Sequence, residues 1–139
     1  MVTYGDGVAD IDIKALVDFH KQQNTVATIT AVRPVSRFGF LNIHPETKKA
    51  VDFFQHKVTQ GAEEKSTGLI NGGFMVLKPE ALDIIAENSM VESIFPPLSE
   101  KGELSVFTHN GKWKCMDTYK EVEELNEHWH KDPFWKIWK

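Results

Sequence analysis

Asp6 stands between two glycines in the segment Tyr4-Gly5-Asp6-Gly7-Val8. Far along the chain, Met116-Asp117-Thr118 offers a second carboxylate, after a predicted strand and before a predicted helix. Open α/β sheets gather their ligands at the carboxyl ends of strands. Two aspartates brought together there could share Mg2+, which keeps several waters and bridges to phosphate oxygens. Each also has a plainer reading, Asp6 as a turn residue and Asp117 as a helix N-cap. Lys57 ends a predicted strand, where an ammonium pairs with phosphate as a point charge or is simply solvated. Asn71-Gly72-Gly73 is less ordinary. An asparagine amide both donates and accepts, and paired glycines let a polar ligand such as a sugar touch the main chain.

These residues need elements to hold them. Met1 to Gly5 reads as a short strand, and Gly5-Asp6-Gly7 forces a turn. Asp10 or Asp12 caps a helix whose face is Ile13, Leu16, Val17 and His20, and Asn24 ends it. The β-branched run Thr25 to Val32 is a buried strand, so strand, helix and strand predict a βαβ unit with parallel strands. Phe40 to His44 and Ala50 to Lys57 are two more strands. Val58 to Gly68 is a polar loop, and Leu69 to Leu77 a strand with a bulge or ligand contact at its glycines. Pro79 opens a helix with Ala81, Leu82 and Ile85 on its apolar face, and Pro96-Pro97 breaks the chain. Glu103 to His109 and Lys112 to Met116 read as a hairpin about Asn110-Gly111. Thr118 to His130 is a helix with a Val122, Leu125, Trp129 stripe. The expectation is one α/β domain over residues 1–139 with a mixed sheet.

Other chemistries find no pattern. His128 and His130 do not share a helix face, and with Cys115 they lack zinc spacing. Gly-x-Ser-x-Gly and Gly-x-x-x-x-Gly-Lys are both missing from the sequence. A net charge of -4 argues against nucleic acid and anionic membranes as partners. No apolar run approaches the ~20 residues of a membrane span. A lone cysteine and no export signal point to the cytoplasm. The aromatic, basic tail Pro133 to Lys139 is expected to pack on the domain or a neighbouring subunit.

In order, the chain carries YGDGV at 4–8, RFG at 37–39, FQHK at 54–57, INGGF at 70–74, PL and GEL at 97–98 and 102–104, and MDT at 116–118. A tail rich in Trp and Lys follows. This series resembles the glucose-1-phosphate cytidylyltransferases, among the sugar-1-phosphate nucleotidyltransferases, along nearly the whole chain. The resemblance implies a partial Rossmann-like nucleotidyltransferase fold. It implies Mg2+-dependent attack of a sugar-1-phosphate oxygen on the α-phosphate of CTP, with CDP-glucose and pyrophosphate as products. Asp6 and Asp117 then match the metal ligands, Lys57 the sugar-phosphate lysine, Asn71 and Gly72 the sugar-contacting strand, and Gly39 a backbone contact near the sugar.

The sequence departs from the family in two places. His56-Lys57-Val58 stands where the family has Glu-Lys-Pro, and Glu63-Glu64-Lys65 competes for that alignment. The Gly-rich nucleotide loop of the family's first half has no counterpart here. The resemblance is therefore to the C-terminal half, lacking the N-terminal nucleotide-binding half. Three readings follow. The first is a cytidylyltransferase half that is incomplete or inactive as an isolated chain and folds as a homo-oligomer or with a complementing chain. The second is a nucleotidyltransferase half with another sugar or base. The third is a non-catalytic sugar-phosphate-binding or assembly module.

Overall fold

The computed structural model describes residues 1–34, 40–43, 46–54 and 69–138. Two compact units emerge, one of Met1–Arg33 with Leu69–Lys139 and one of Pro34–Gly68. Within the smaller unit, β4 (Phe40–Ile43) and β5 (Ala50–Phe54) pair antiparallel, with Phe40 opposite Phe54. Both strands were legible in the sequence.

The larger unit opens with β1 (Val2–Thr3) and β2 (Gly7–Ala9), followed by α1 (Ile13–Gln23) and β3 (Ala27–Val32). It resumes with β6 (Ile70–Leu77), α2 (Phe95–Glu100), β7 (Leu104–His109), β8 (Trp113–Cys115) and α3 (Tyr119–Lys131). Four strands form a mixed sheet in the order β1-β6-β3-β7. β6 runs antiparallel to β1 and β3, and β7 runs parallel to β3. β1 and β3 therefore share a direction but are separated by β6, so the simple βαβ pairing is replaced. A small apolar β-branched strand offers no local signal that another strand will intervene.

Alternate residues of these strands diverge to opposite faces. Val76, Phe74 and Phe107 pack with Leu16, Val17 and Ile11 around α1. Ala27, Leu77 and Leu104 meet Ala81, Ile94 and Leu98 from residues 79–100. β3 is covered on both sides, which is why its sequence is continuously apolar or small instead of alternating. The α1 side also carries polar groups. His20 Nδ1 lies 2.8 Å from Thr28 Oγ1, and that hydroxyl lies 2.6 Å from Ser105 Oγ. Burial holds the His20 imidazole below its ordinary value, so a neutral ring joins this chain.

Local signals set several boundaries. Asp12 caps α1 by accepting from the Ala15 amide at 2.9 Å, and Asn24 closes it in the left-handed region. α3 begins with a capping box between Thr118 and Glu121, so the cap is Thr118 and not Asp117. Pro96 and Pro97 begin α2 instead of breaking the chain, since a first turn needs no donor from them. Pro79 opens a 3-10 turn, in which Ala81 is buried while Leu82 is 60% exposed, outside the apolar face assigned to it. β8 pairs with β2 and not with β7. The tail folds back on α3, with Trp135 stacked on Trp129 at 6.4 Å. Among the described residues, no helix is long and apolar enough to cross a membrane.

The Asn71-Gly72-Gly73 segment forms a bulge. Ile29 faces Met75 and Ala31 faces Asn71, so Gly72, Gly73 and Phe74 lie opposite Thr30 alone. Thr30 is fully buried, and its hydroxyl is the one buried side-chain polar atom without a hydrogen-bond partner among the described residues. Such an atom costs its desolvation without recompense. Thr30→Val should leave stability unchanged or raise it by about 1 kcal/mol. Gly73 has φ +79, and a Cβ there would sit 2.6 Å from Tyr4 Cδ2. Gly73→Ala should therefore cost about 1–3 kcal/mol. Urea midpoints of the two variants check both signs.

Candidate functional site

The loops that carry the two aspartates are brought together by the β2–β8 pair. Gly7 faces Cys115 in the antiparallel register. One step further out, the Met116 amide donates to the Asp6 carbonyl at 2.9 Å. The Gly5-Asp6-Gly7 loop and the Met116-Asp117 loop thus lie side by side, although more than a hundred residues of sequence part them. Both carboxylates are exposed. The Cys115 thiol donates to Asp117 Oδ2 at 3.4 Å. Asp117 also sits just before α3, where the positive end of the helix favours a negative charge.

Tyr4, the residue that follows β1, anchors this arrangement. The Tyr4 amide donates to the Gly73 carbonyl at 2.9 Å. Its hydroxyl donates to Glu92 Oε1 and accepts from Asn71 Nδ2 at 3.0 Å. Burial first, then the hydrogen bond and charge of Glu92, push the Tyr4 phenol up to about 12; the Asn71 donor opposes them. Thr3, Tyr4, Gly5, Asp6 and Glu92 line an open recess.

Asn71 and Gly72 sit beside this recess but are engaged internally. Asn71 Oδ1 accepts from the Gly73 amide at 3.0 Å while its nitrogen serves Tyr4. Gly72 is buried, and its carbonyl accepts from Trp113 Nε1 at 2.9 Å. A Cβ on Gly72 would come within 2.6 Å of Val32 Cγ1. The β6 bulge is thereby tied to Tyr4 on one side and to β8 on the other. Gly39 and Lys57 lie outside the described residues.

Sequence reasoning missed Tyr4, Glu92 and Trp113 as members of this cluster. A tyrosine beside a Gly-Asp-Gly turn was a usable signal, since a half-buried phenol needs a partner. Glu92 carried no local signal at all. Asp6 and Asp117 each carry hard carboxylate oxygens, a donor type that suits Mg2+. Among the described residues, no group of three or more His, Cys, Asp or Glu is assembled for a metal.

The chain has relatives among known proteins. The chain is 42% identical to the glucose-1-phosphate cytidylyltransferase of Salmonella typhimurium and 37% identical to a Bacillus subtilis protein assigned the same activity. Each match covers 99% of this chain and 52% of the relative. The chain thus spans about half the length of the curated relatives it matches, consistent with their C-terminal half. A Bacillus anthracis protein assigned as a glucose-1-phosphate thymidylyltransferase, crystallised with sucrose, superposes with a TM-score of 0.58 at 19% identity. That match covers 88% of this chain and 51% of the other, and it shows the nucleotidyltransferase fold. No family model matches.

The chain has two tyrosines, so Tyr119→Phe leaves Tyr4 as the sole titrating phenol. Its ultraviolet titration should show a midpoint near about 12 against the ordinary 10.0. Because the folded value is raised, the stabilisation is complete below about pH 10 and disappears as pH rises through about 12. Adding Glu92→Ala should move the midpoint back toward 10. A midpoint near 10 in the folded Tyr119→Phe protein would contradict the Tyr4–Glu92 bond.

Proposed function

From this kinship we propose that the chain is the sugar-phosphate portion of a glucose-1-phosphate cytidylyltransferase. The whole reaction joins CTP and glucose 1-phosphate into CDP-glucose and pyrophosphate for bacterial surface polysaccharide. Such chemistry belongs in the cytoplasm, beside its nucleotide substrate. The observation that carries this reading is the Met116 amide bonded to the Asp6 carbonyl, because it sets the two carboxylate loops next to each other.

In this reading Asp6 and Asp117 hold Mg2+. When bound, the ion supplies positive charge that offsets the charge on the phosphates. The sugar phosphate is itself the nucleophile, so the protein's own task is alignment and charge neutralisation. Asn71 and Gly72 form the wall beside the sugar. Their internal bonds make them shapers of that wall more than hands that grip. The roles of Gly39 and Lys57 rest on the resemblance alone.

We further propose that the isolated chain turns over poorly, since the family's Gly-rich nucleotide loop is not among its residues. It would act as a homo-oligomer or with a complementing chain. β1 is an edge strand among the described residues, and an edge offers a strand from another chain a row of free main-chain groups. The engagement of Asn71 and burial of Gly72 also favour a second reading, a non-catalytic sugar-phosphate-binding or assembly module.

Pyrophosphate release from CTP and glucose 1-phosphate with Mg2+ separates these readings. The chain alone should give no more than its Asp117→Ala variant. Supplying the N-terminal half of a relative should restore turnover, and Asp117→Ala should then lower it at least about a hundredfold. Turnover by the chain alone that vanishes in the variant defeats the incomplete-enzyme reading. No turnover from folded, complemented protein favours the binding module. Solution scattering should show an assembly larger than one chain; a stable monomer removes the homo-oligomer.

A further inference from the structure

We propose that the Tyr4–Glu92 hydrogen bond is a latch that positions the Asp6 loop against the Asp117 loop. Tyr4 and Glu92 are then positioning residues for the carboxylate pair. This rests on the reading of Asp6 and Asp117 given above, and it adds two residues to which that reading gives no part.

The Asp6 loop is held mainly at its ends. Among the described residues, nothing beyond its chain neighbours lies within 4 Å of where a Cβ on Gly5 would be. Glycine there also leaves the backbone torsions free. Beyond it, the Asp6 carbonyl is fixed by the Met116 amide. Before it, β1 is paired to β6 and Tyr4 is the residue nearest the loop that is held by its side chain. The Tyr4 amide is bonded to Gly73, and its ring lies where only a glycine allows it. Its hydroxyl joins Asn71 on the bulge to Glu92 on the 3-10 turn Val91–Ile94.

Glu92 is a firm anchor because its turn is rooted in the core. Ile94, two residues on, is 1% exposed and packs with Ala27, Ala81 and Leu98. Glu92 itself is half-buried, and so is Tyr4. A charge-assisted hydrogen bond in that setting is stronger than a neutral one in water. The latch thus carries the rigidity of the sheet and its covering segment to a loop that glycines leave loose. Without the hydroxyl, Gly5 gains freedom, and the Asp6 loop is held against the Asp117 loop less firmly.

The test uses the 139-residue chain with Tyr4→Phe, Glu92→Ala and Glu92→Gln, and two readouts. The first needs no metal: amide exchange at Met116, whose hydrogen bond goes to Asp6, compared with Ala27, whose amide bonds to the Glu103 carbonyl. Tyr4→Phe and Glu92→Ala should speed exchange at Met116 about tenfold and leave Ala27 unchanged. Glu92→Gln keeps an acceptor and should stay close to the parent. The second readout is Mn2+ alone, counted by electron paramagnetic resonance. Asp117→Asn should abolish binding, Tyr4→Phe and Glu92→Ala should weaken it about tenfold, and Glu92→Gln should rescue it. Unchanged Met116 exchange in Tyr4→Phe and Glu92→Ala overturns the latch. If the parent chain fails to bind Mn2+, the metal reading falls, and the exchange comparison still decides the latch.

Discussion

The close approach of Tyr4 to Gly73 is the constraint from which the site follows. A side chain at position 73 would collide with the tyrosine ring, and the positive φ there suits glycine. Once the ring is seated, the Tyr4 amide reaches the Gly73 carbonyl and its hydroxyl reaches Asn71. The bulge that makes this possible crowds Gly72, Gly73 and Phe74 against Thr30. It also turns the Gly72 carbonyl to the Trp113 indole, which ties in β8. One irregularity in a central strand therefore sets both the β1 end and the β8 end, and each end leads into an aspartate loop.

The rest of the larger unit makes that irregularity tolerable. β6 is flanked by β1 and β3, and apolar clusters cover both faces of the sheet. Packing at this density resists local rearrangement, so a strand can keep a bulge without fraying. The unpartnered Thr30 hydroxyl marks the strain of the arrangement, at the residue the bulge faces. Further from the site, polar groups are well matched. His20, Thr28, Ser105 and Thr25 form a chain of contacts between α1, β3 and β7. Asp10 accepts from the Lys112 amide at 2.7 Å and pairs with His109 at 2.9 Å, which holds the turn between β7 and β8.

The pairing of β8 shows how such a site arises. Asn110-Gly111 looks like a hairpin turn, and local chemistry would return the chain along β7. The chain instead crosses to β2, beside which Asp10 accepts from the Lys112 amide, while the Trp113 indole reaches the Gly72 carbonyl on β6. That crossing brings Met116 to Asp6. A hairpin would have left the two aspartates on separate strands with no reason to meet. Relatives at 37–42% identity share this stretch of chain, and the solved nucleotidyltransferase shares its fold.

By itself the sequence determined the elements and the residue types able to act. Asn24 marks a helix end, and Asp10 or Asp12 a helix start, through side-chain and backbone preferences that need only near neighbours, whereas the choice of Asp12 and of Thr118 over Asp117 came with the fold. The β-branched run of β3 and the double glycine of β6 were likewise readable, because burial and conformational freedom are written in single residues. Asp6 stood out by its flanking glycines, and Asp117 by its place between a predicted strand and a predicted helix. Only the tertiary structure decided that β6 would lie between β1 and β3, that β8 would join β2, and that Asp6 would adjoin Met116. Strand order and loop contact depend on partners far away along the chain, which no local propensity encodes. The same reason hid Glu92, an ordinary acidic residue until Tyr4 is folded against it.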